Sequence, residues 1–367
     1  IQNGDDGISA FAQLHILDNH FVGNRDAIDY ESGGGTCRNN VFDDNHDDAV
    51  DLDGASQVII ENNLIRNCVD DGIEIRLHDY QGPTLNIIIR GNLISGSGED
   101  GIQLIDYSGL SDRYFLIERN VIEATAMAGL GLMDKGDTME DYRGASIPEP
   151  IHLFNNTFIG NDHGLTGGDN LVALNNLFID STTVGLKRVD GGSIAAYNLF
   201  WNNGRDYRNS NMDRDTTLIN DPLLDPEHHL LPGSPAIDAG TAYFEWEGET
   251  VLDLPDTAYN GAAPDLGRFE RAPDNTPPAV AITSPIGGAA FLEGEAITFS
   301  GSASDVEDGD LADSLSWVSS IDGPIGSGGT VFRSGLFGFS LDPGSVPVDF
   351  LVYWDAKGVY EGASEWR

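Results

Sequence analysis

Short runs of alternating apolar and polar residues fill the chain, separated by turns of Gly, Asn and Asp. In Gly72-Ile73-Glu74-Ile75-Arg76, a period of two places Ile73 and Ile75 inside and points Glu74 and Arg76 outward. A helical period of 3.6 is absent, and β-branched and aromatic residues hold alternate positions, so the pattern predicts an all-β chain. The runs also repeat. An Asn leading a short apolar step recurs at Asn19, Asn40, Asn63, Asn92, Asn120, Asn156, Asn176 and Asn198, at intervals of 21, 23, 29, 28, 36, 20 and 22 residues. Each interval holds two or three short strands, which is one coil of a parallel β-solenoid. The Asn column is expected to stack its amides up the inside of a turn. The excess residues of the longer intervals are expected as outward loops near 77–86, 106–114 and 134–150. A leucine-rich repeat shares the period, but its Leu signature and helical segment are missing.

Over residues 1–204 the repeat resembles the right-handed parallel β-helix proteins. Asp221-Pro222-Leu223-Leu224, the run Leu231–Gly240 and Asp265-Leu266-Gly267-Arg268-Phe269-Glu270 resemble the ending common in secreted bacterial members. Residues 205–270 are therefore expected to cap the solenoid, and 271–278 read as a linker. Residues 279–367 alternate like the strands of a small β-sandwich. They resemble an immunoglobulin-like module as far as about Val331, beyond which the module is divergent or incomplete and only Asp355-Ala356-Lys357-Gly358 matches.

Aligning the coils on the strand after each acidic turn gives an outward column of Ser9, Asp29, Asp51, Glu74, Gln103, Gly131, Thr166 and Lys187. Two residues on come Glu31, Asp53, Arg76 and Ile105, and the preceding turns hold Asp5, Asp6, Asp26, Asp47, Asp48, Asp70, Asp71, Glu99 and Asp100. Carboxylates stacked about 4.8 Å apart repel, so protons or a cation must neutralise some of them. Calcium takes six to eight oxygens from such clusters, and Asp29, Asp47, Asp48, Asp51 and Glu74 are the candidate ligands. Turn aspartates have a second use, bonding backbone amides of the neighbouring coil.

Asn45-His46-Asp47-Asp48-Ala49-Val50-Asp51 resembles the calcium-binding segment of family 9 polysaccharide lyases, with Asp26 or Asp29 as the further ligand. That family places a Lys base where this chain has Glu74, which leaves Arg76 as the candidate base. Asp26 with Asp47 and Asp48 is similar to the acidic set of polygalacturonase-like glycoside hydrolases and implies an acid and a base among the three. That family also has a His on the next coil and an Arg-x-Lys. Here His163 lies further on, and Lys187-Arg188 is not that motif. The catalytic candidates are thus Asp26, Asp47, Asp48 and Arg76, with Asp53, Gln103 and Lys187 as candidate substrate contacts. Asp225–His229 and Gly33–Gly35 carry no comparable motif, and the acidic loop Asp305–Asp313 resembles those of calcium-binding sandwich modules.

Charge narrows the classes. With 60 acidic residues against 19 Lys and Arg, the net charge is −41. Such a chain is a poor ligand for nucleic acid and for anionic membranes. No apolar run reaches the length of a membrane span. Two cysteines, Cys37 and Cys68, make no disulfide framework. The start at Ile1 without a signal-like segment reads as a processed or excised product. The expectation is an extracellular or cell-surface calcium-dependent protein that binds and cleaves a polysaccharide, as lyase or hydrolase. The rival is a non-catalytic surface, adhesive or filament protein that associates end to end through its N-terminal coil.

Overall fold

The computed structural model describes residues 1, 4–107, 109–134, 136–272, 278–286, 289, 291, 295–305, 309–319, 323–333, 350–356 and 360–366. It forms two compact units, Ile1–Ala272 and Pro273–Arg367. The described residues contain no α-helix.

The first unit is a right-handed parallel β-helix of three parallel sheets with nine, eight and nine strands. Each coil gives one strand to a front sheet, one to a side sheet and one to a back sheet. On the front sheet Ile8, Ile28, Val50, Ile73, Ile102, Leu130, Leu165 and Leu186 stand in register and point into the core. On the back sheet Phe21 stacks on Phe42 with ring centres 5.0 Å apart, and Phe158, Phe178 and Phe200 stack at 4.9 and 5.2 Å. Like-on-like columns suit a parallel stack, because each side chain meets its equivalent one coil away.

The Asn column forms an unbroken ladder, as expected. From Asn19 to Asn198 each Nδ2 donates to the Oδ1 of the next Asn at 2.9–3.1 Å. The same Oδ1 accepts the backbone N–H of the previous Asn. The residue before each rung is left-handed, with φ between 52° and 64° at Asp18, Asn39, Asn62, Gly91, Arg119, Asn155, Asn175 and Tyr197. Asp, Asn and Gly tolerate that conformation, whereas Arg119 and Tyr197 take it at a cost the ladder must offset.

The insertions at 77–86 and 106–114, expected as loops, are largely strands. Tyr80–Arg90 and Ser111–Glu118 pair with each other and carry the side sheet beyond the solenoid wall. Two insertions on adjacent coils supply each other with ladder partners, which separate loops would lack. The 134–150 insertion has no strand among its described residues and straps across the front sheet. Downstream, Tyr207–Arg208 and Leu218–Ile219 add a partial coil. Residues beyond it lie along the flanks: Phe244, Trp246 and Leu252 on the side sheet, Leu230, Ala236 and Leu266 on the back sheet. Cys37 and Cys68 are buried free thiols.

The second unit has two antiparallel sheets around one core that includes Phe299, Leu315, Trp317 and Ile325. Val306–Asp308, Lys357 and Gly358 of the segments singled out in the sequence lie outside the described residues, as do 273–277 of the linker.

Candidate cation site on the acidic face

The strands Ile28–Tyr30, Val50–Leu52 and Ile73–Leu77 lie side by side on the front sheet, with Asp29, Asp51 and Glu74 in strict register. The column continues through Gln103, Gly131, Thr166 and Lys187, as the period of two predicts. These side chains leave the solenoid core but are not open to solvent. Asp29, Asp51, Glu74 and Gln103 are 6, 4, 3 and 0% exposed. The expectation of an open acidic face is corrected to a recessed acidic floor.

Arg76 helps roof it. Its Nη1 pairs with Asp51 Oδ2 at 3.2 Å and with Asp53 Oδ1, and its Nη2 pairs with Glu74 Oε1. Further along, the strap brings Glu140 over Gly131, where a Cβ would stand 1.9 Å from Asp100 Oδ2 and 2.6 Å from Glu140 Oε2. Thr166 Oγ1 donates to Glu140 Oε2 at 2.7 Å, and Tyr142 stacks on His163 at 4.1 Å. Lys187 Nζ lies 5.7 Å from the centre of the Tyr142 ring.

The turn aspartates form a second ladder. Asp26 Oδ1 accepts from Asp48 N, Asp48 Oδ1 from Asp71 N, Asp71 Oδ1 from Asp100 N, and Asp100 Oδ1 from Ala128 N. One oxygen of Asp26 and one of Asp48 are therefore structural, and the second oxygen of Asp26 pairs with Arg25 at 2.9 Å. Three sets bring ligand atoms within 4.8 Å of one another: Asp26–Asp47–Asp48, Asp29–Asp51–Asp53 and Asp48–Asp51–Glu74. All five candidate ligands, and Asp26, Asp47, Asp48, Asp53 and Arg76 of the catalytic and contact candidates, thus converge. Gln103 borders the floor, with Nε2 on Asp100 Oδ2 at 3.2 Å and Oε1 lacking a hydrogen-bond partner. Lys187 stands four coils from Glu74, roughly 19 Å at the usual strand spacing, and is not part of the cluster.

Burial is the first cause of the electrostatics, and neighbouring carboxylates are the second. Asp26, Asp29 and Asp47 are pushed up to about 6, Glu74 to about 7 and Asp51 to about 9. Asp48, Asp71 and Asp100 are also held well above the usual carboxylate range. Burial opposes the charge on Arg76, but Asp51, Glu74 and Asp53 outweigh it and raise its pKa above the ordinary value. The three carboxylates thus favour the charged form of Arg76 and weigh against the proton-acceptor role expected from the sequence. Arg76 is a counter-ion. Asp29 Oδ1 and Asp51 Oδ1 are buried without a hydrogen-bond donor, and Glu74 Oε1 has its ion pair but no aligned hydrogen bond.

Residues 7–178 match the family model described as Right handed beta helix region. The solenoid is a right-handed β-helix, a fold that points to a polysaccharide-related or surface protein. The match ends before the second unit, and comparison with curated proteins and with solved structures gives no match.

Several participants were hidden in the sequence. Arg25 stands where other coils carry the first acid of the pair, and it meets Asp6 at 2.6 Å and Asp26 at 2.9 Å. Tyr107 lies against His78 with ring centres 4.2 Å apart and planes tilted by 37°, and the charges of Arg76 and Glu74 reach it. Glu140 and Tyr142 sit in the longest insertion, whose path no periodicity specifies.

Proposed function

We propose that the protein binds calcium through Asp48, Asp51 and Glu74 and, with the ion in place, engages an acidic polysaccharide outside the cell or at its surface. The supporting observation is the trio itself: three buried carboxylates with oxygens within 4.8 Å, among them Asp51 Oδ1, which has no hydrogen-bond donor. Hard carboxylate oxygens suit calcium, and Gln103 Oε1, next in register to Glu74, is a neutral oxygen of the same kind. Asp48, Asp51, Asp53 and Glu74 against the single guanidinium of Arg76 leave an excess of negative charge, which a divalent ion offsets. Asp29 and Asp47 then flank the ion. Asp53 and Arg76 form a half-buried rim where a uronate carboxylate can meet the ion and the guanidinium together.

The polysaccharide reading divides into binding and cleavage. β-Elimination is disfavoured with Arg76 as its base, because three carboxylates hold that guanidinium protonated. Hydrolysis has one observation in its favour: Asp26 and Asp47, pushed up to about 6, provide a proton donor close to neutral pH. One oxygen of each lies within 4.8 Å of the other, closer than the ≈ 6.5–9.5 Å of an inverting pair and nearer the ≈ 5–5.5 Å of a retaining one, so any hydrolysis is expected to retain configuration. Titration calorimetry with calcium, followed by polygalacturonate with and without EDTA, tests the reading. Calcium-dependent binding supports it, and binding that ignores EDTA refutes it.

A further inference from the structure

The paired extensions Tyr80–Arg90 and Ser111–Glu118, together with the end of the strap, enclose a cleft of about 730 Å³. None of its lining residues belongs to the acidic floor. We propose that this cleft is a second binding site, and that it takes a neutral sugar unit.

Its polar wall is built rather than incidental. Arg113 is 3% exposed, and its guanidinium donates to His78 O at 3.0 Å, to Gly54 O at 3.1 Å and to Ser111 Oγ. That anchoring fixes the orientation of its planar fork. Glu149 also lines the cleft; it is 6% exposed, and its Oε2 has no hydrogen-bond partner. A buried carboxylate oxygen without a donor is costly, and a small turn of the Glu149 side chain into the cleft would let a ligand hydroxyl supply one. The two groups sense each other, since the charge of Glu149 supports that of Arg113 against burial.

The other wall is apolar. Leu110 is 65% exposed at the mouth, and the Tyr114 ring and Pro148 also line the cleft. Tyr114 is held by a 2.9 Å hydrogen bond between its hydroxyl and His152 Nδ1. Apolar groups lining one cleft together with a fixed guanidinium and a carboxylate complement a pyranose, which has C–H faces and hydroxyl edges. The cleft volume falls within the ordinary range for small-ligand sites. Asp112 and Glu149 outnumber Arg113, so a uronate is repelled and the neutral sugar is preferred.

The test is titration calorimetry in EDTA, so that calcium sites do not contribute. The probes are cellotriose, laminaritriose, maltotriose, mannotriose and xylotriose, with trigalacturonate as the charged control. At least one neutral trisaccharide is expected to bind saturably. Glu149→Gln and Leu110→Asp should each weaken it about tenfold or more, by loss of the charged acceptor and of the apolar mouth. Asp51→Asn should leave it unchanged, which separates this site from the calcium reading. Leu110 is exposed, so its variant reports on the cleft even if Glu149→Gln folds poorly. The proposal is overturned if no neutral trisaccharide saturates, if Leu110→Asp binds as the wild type does, or if trigalacturonate binds more tightly.

Discussion

Removing calcium should make the solenoid more stable in mild acid than in mild base. Asp51 is pushed up to about 9 in the folded chain, chiefly by burial and then by Glu74 and Asp53, against an ordinary value of 3.8. A carboxyl with a raised pKa keeps its proton in the folded state while the unfolded chain has lost it. Its stabilising contribution is complete below pH 3.8 and declines as pH rises through 9. The slope is about 1.4 kcal/mol per pH unit, so Asp51 alone accounts for roughly 4 kcal/mol between pH 5 and pH 8. Glu74, pushed up to about 7, adds a loss of the same sign that ends near neutrality. Asp51 is 4% exposed, so solvent screening takes little away. The assay is urea unfolding in EDTA at several pH values. Asp51→Asn should flatten the profile by about 1.4 kcal/mol per unit and stabilise the chain at pH 8. Calcium should do the same for the wild type, because the ion replaces the protons. Equal slopes for wild type and Asp51→Asn in EDTA would refute the reasoning.

Other outcomes follow from single contacts. Asn92→Ala removes two donated bonds and leaves Asn63 N and Nδ2 without their acceptor, so it should cost about 3–5 kcal/mol. Asn19→Ala, at the half-buried end of the ladder, should cost nearer 1 kcal/mol, and urea unfolding compares the two. Gly131→Ala drives a methyl group between Asp100 and Glu140 and should lift the strap, read as faster proteolysis within 134–150. Any turnover of polygalacturonate should give new reducing ends and no near-ultraviolet unsaturated product; the unsaturated product would show that Arg76, despite its clamp, acts as a base.

The columns were legible in the sequence because a strand period of two and one Asn per coil leave little freedom in register. Ser9 through Lys187 therefore fall where the alternation predicts. Burial of the outward residues was not legible. It depends on Arg76 folding back over Asp51 and Glu74, and on Glu140 docking at Gly131 from an insertion whose path no repeat specifies. The insertions at 77–86 and 106–114 read as loops because each is irregular alone, and their strand character comes from pairing with each other. The turn aspartates carry two functions on two oxygens. Residue type alone does not separate a ladder oxygen of Asp48 from the one that faces Asp51.

The central claim is the ion seat, and the location of the ion tests it most directly. A crystal grown in calcium should show an anomalous peak with oxygens of Asp48, Asp51 and Glu74 at about 2.3–2.6 Å, and Arg76 still paired on the far side of Asp51. A calcium-grown crystal with no peak at those three carboxylates, or with its ion elsewhere on the solenoid, would contradict the account.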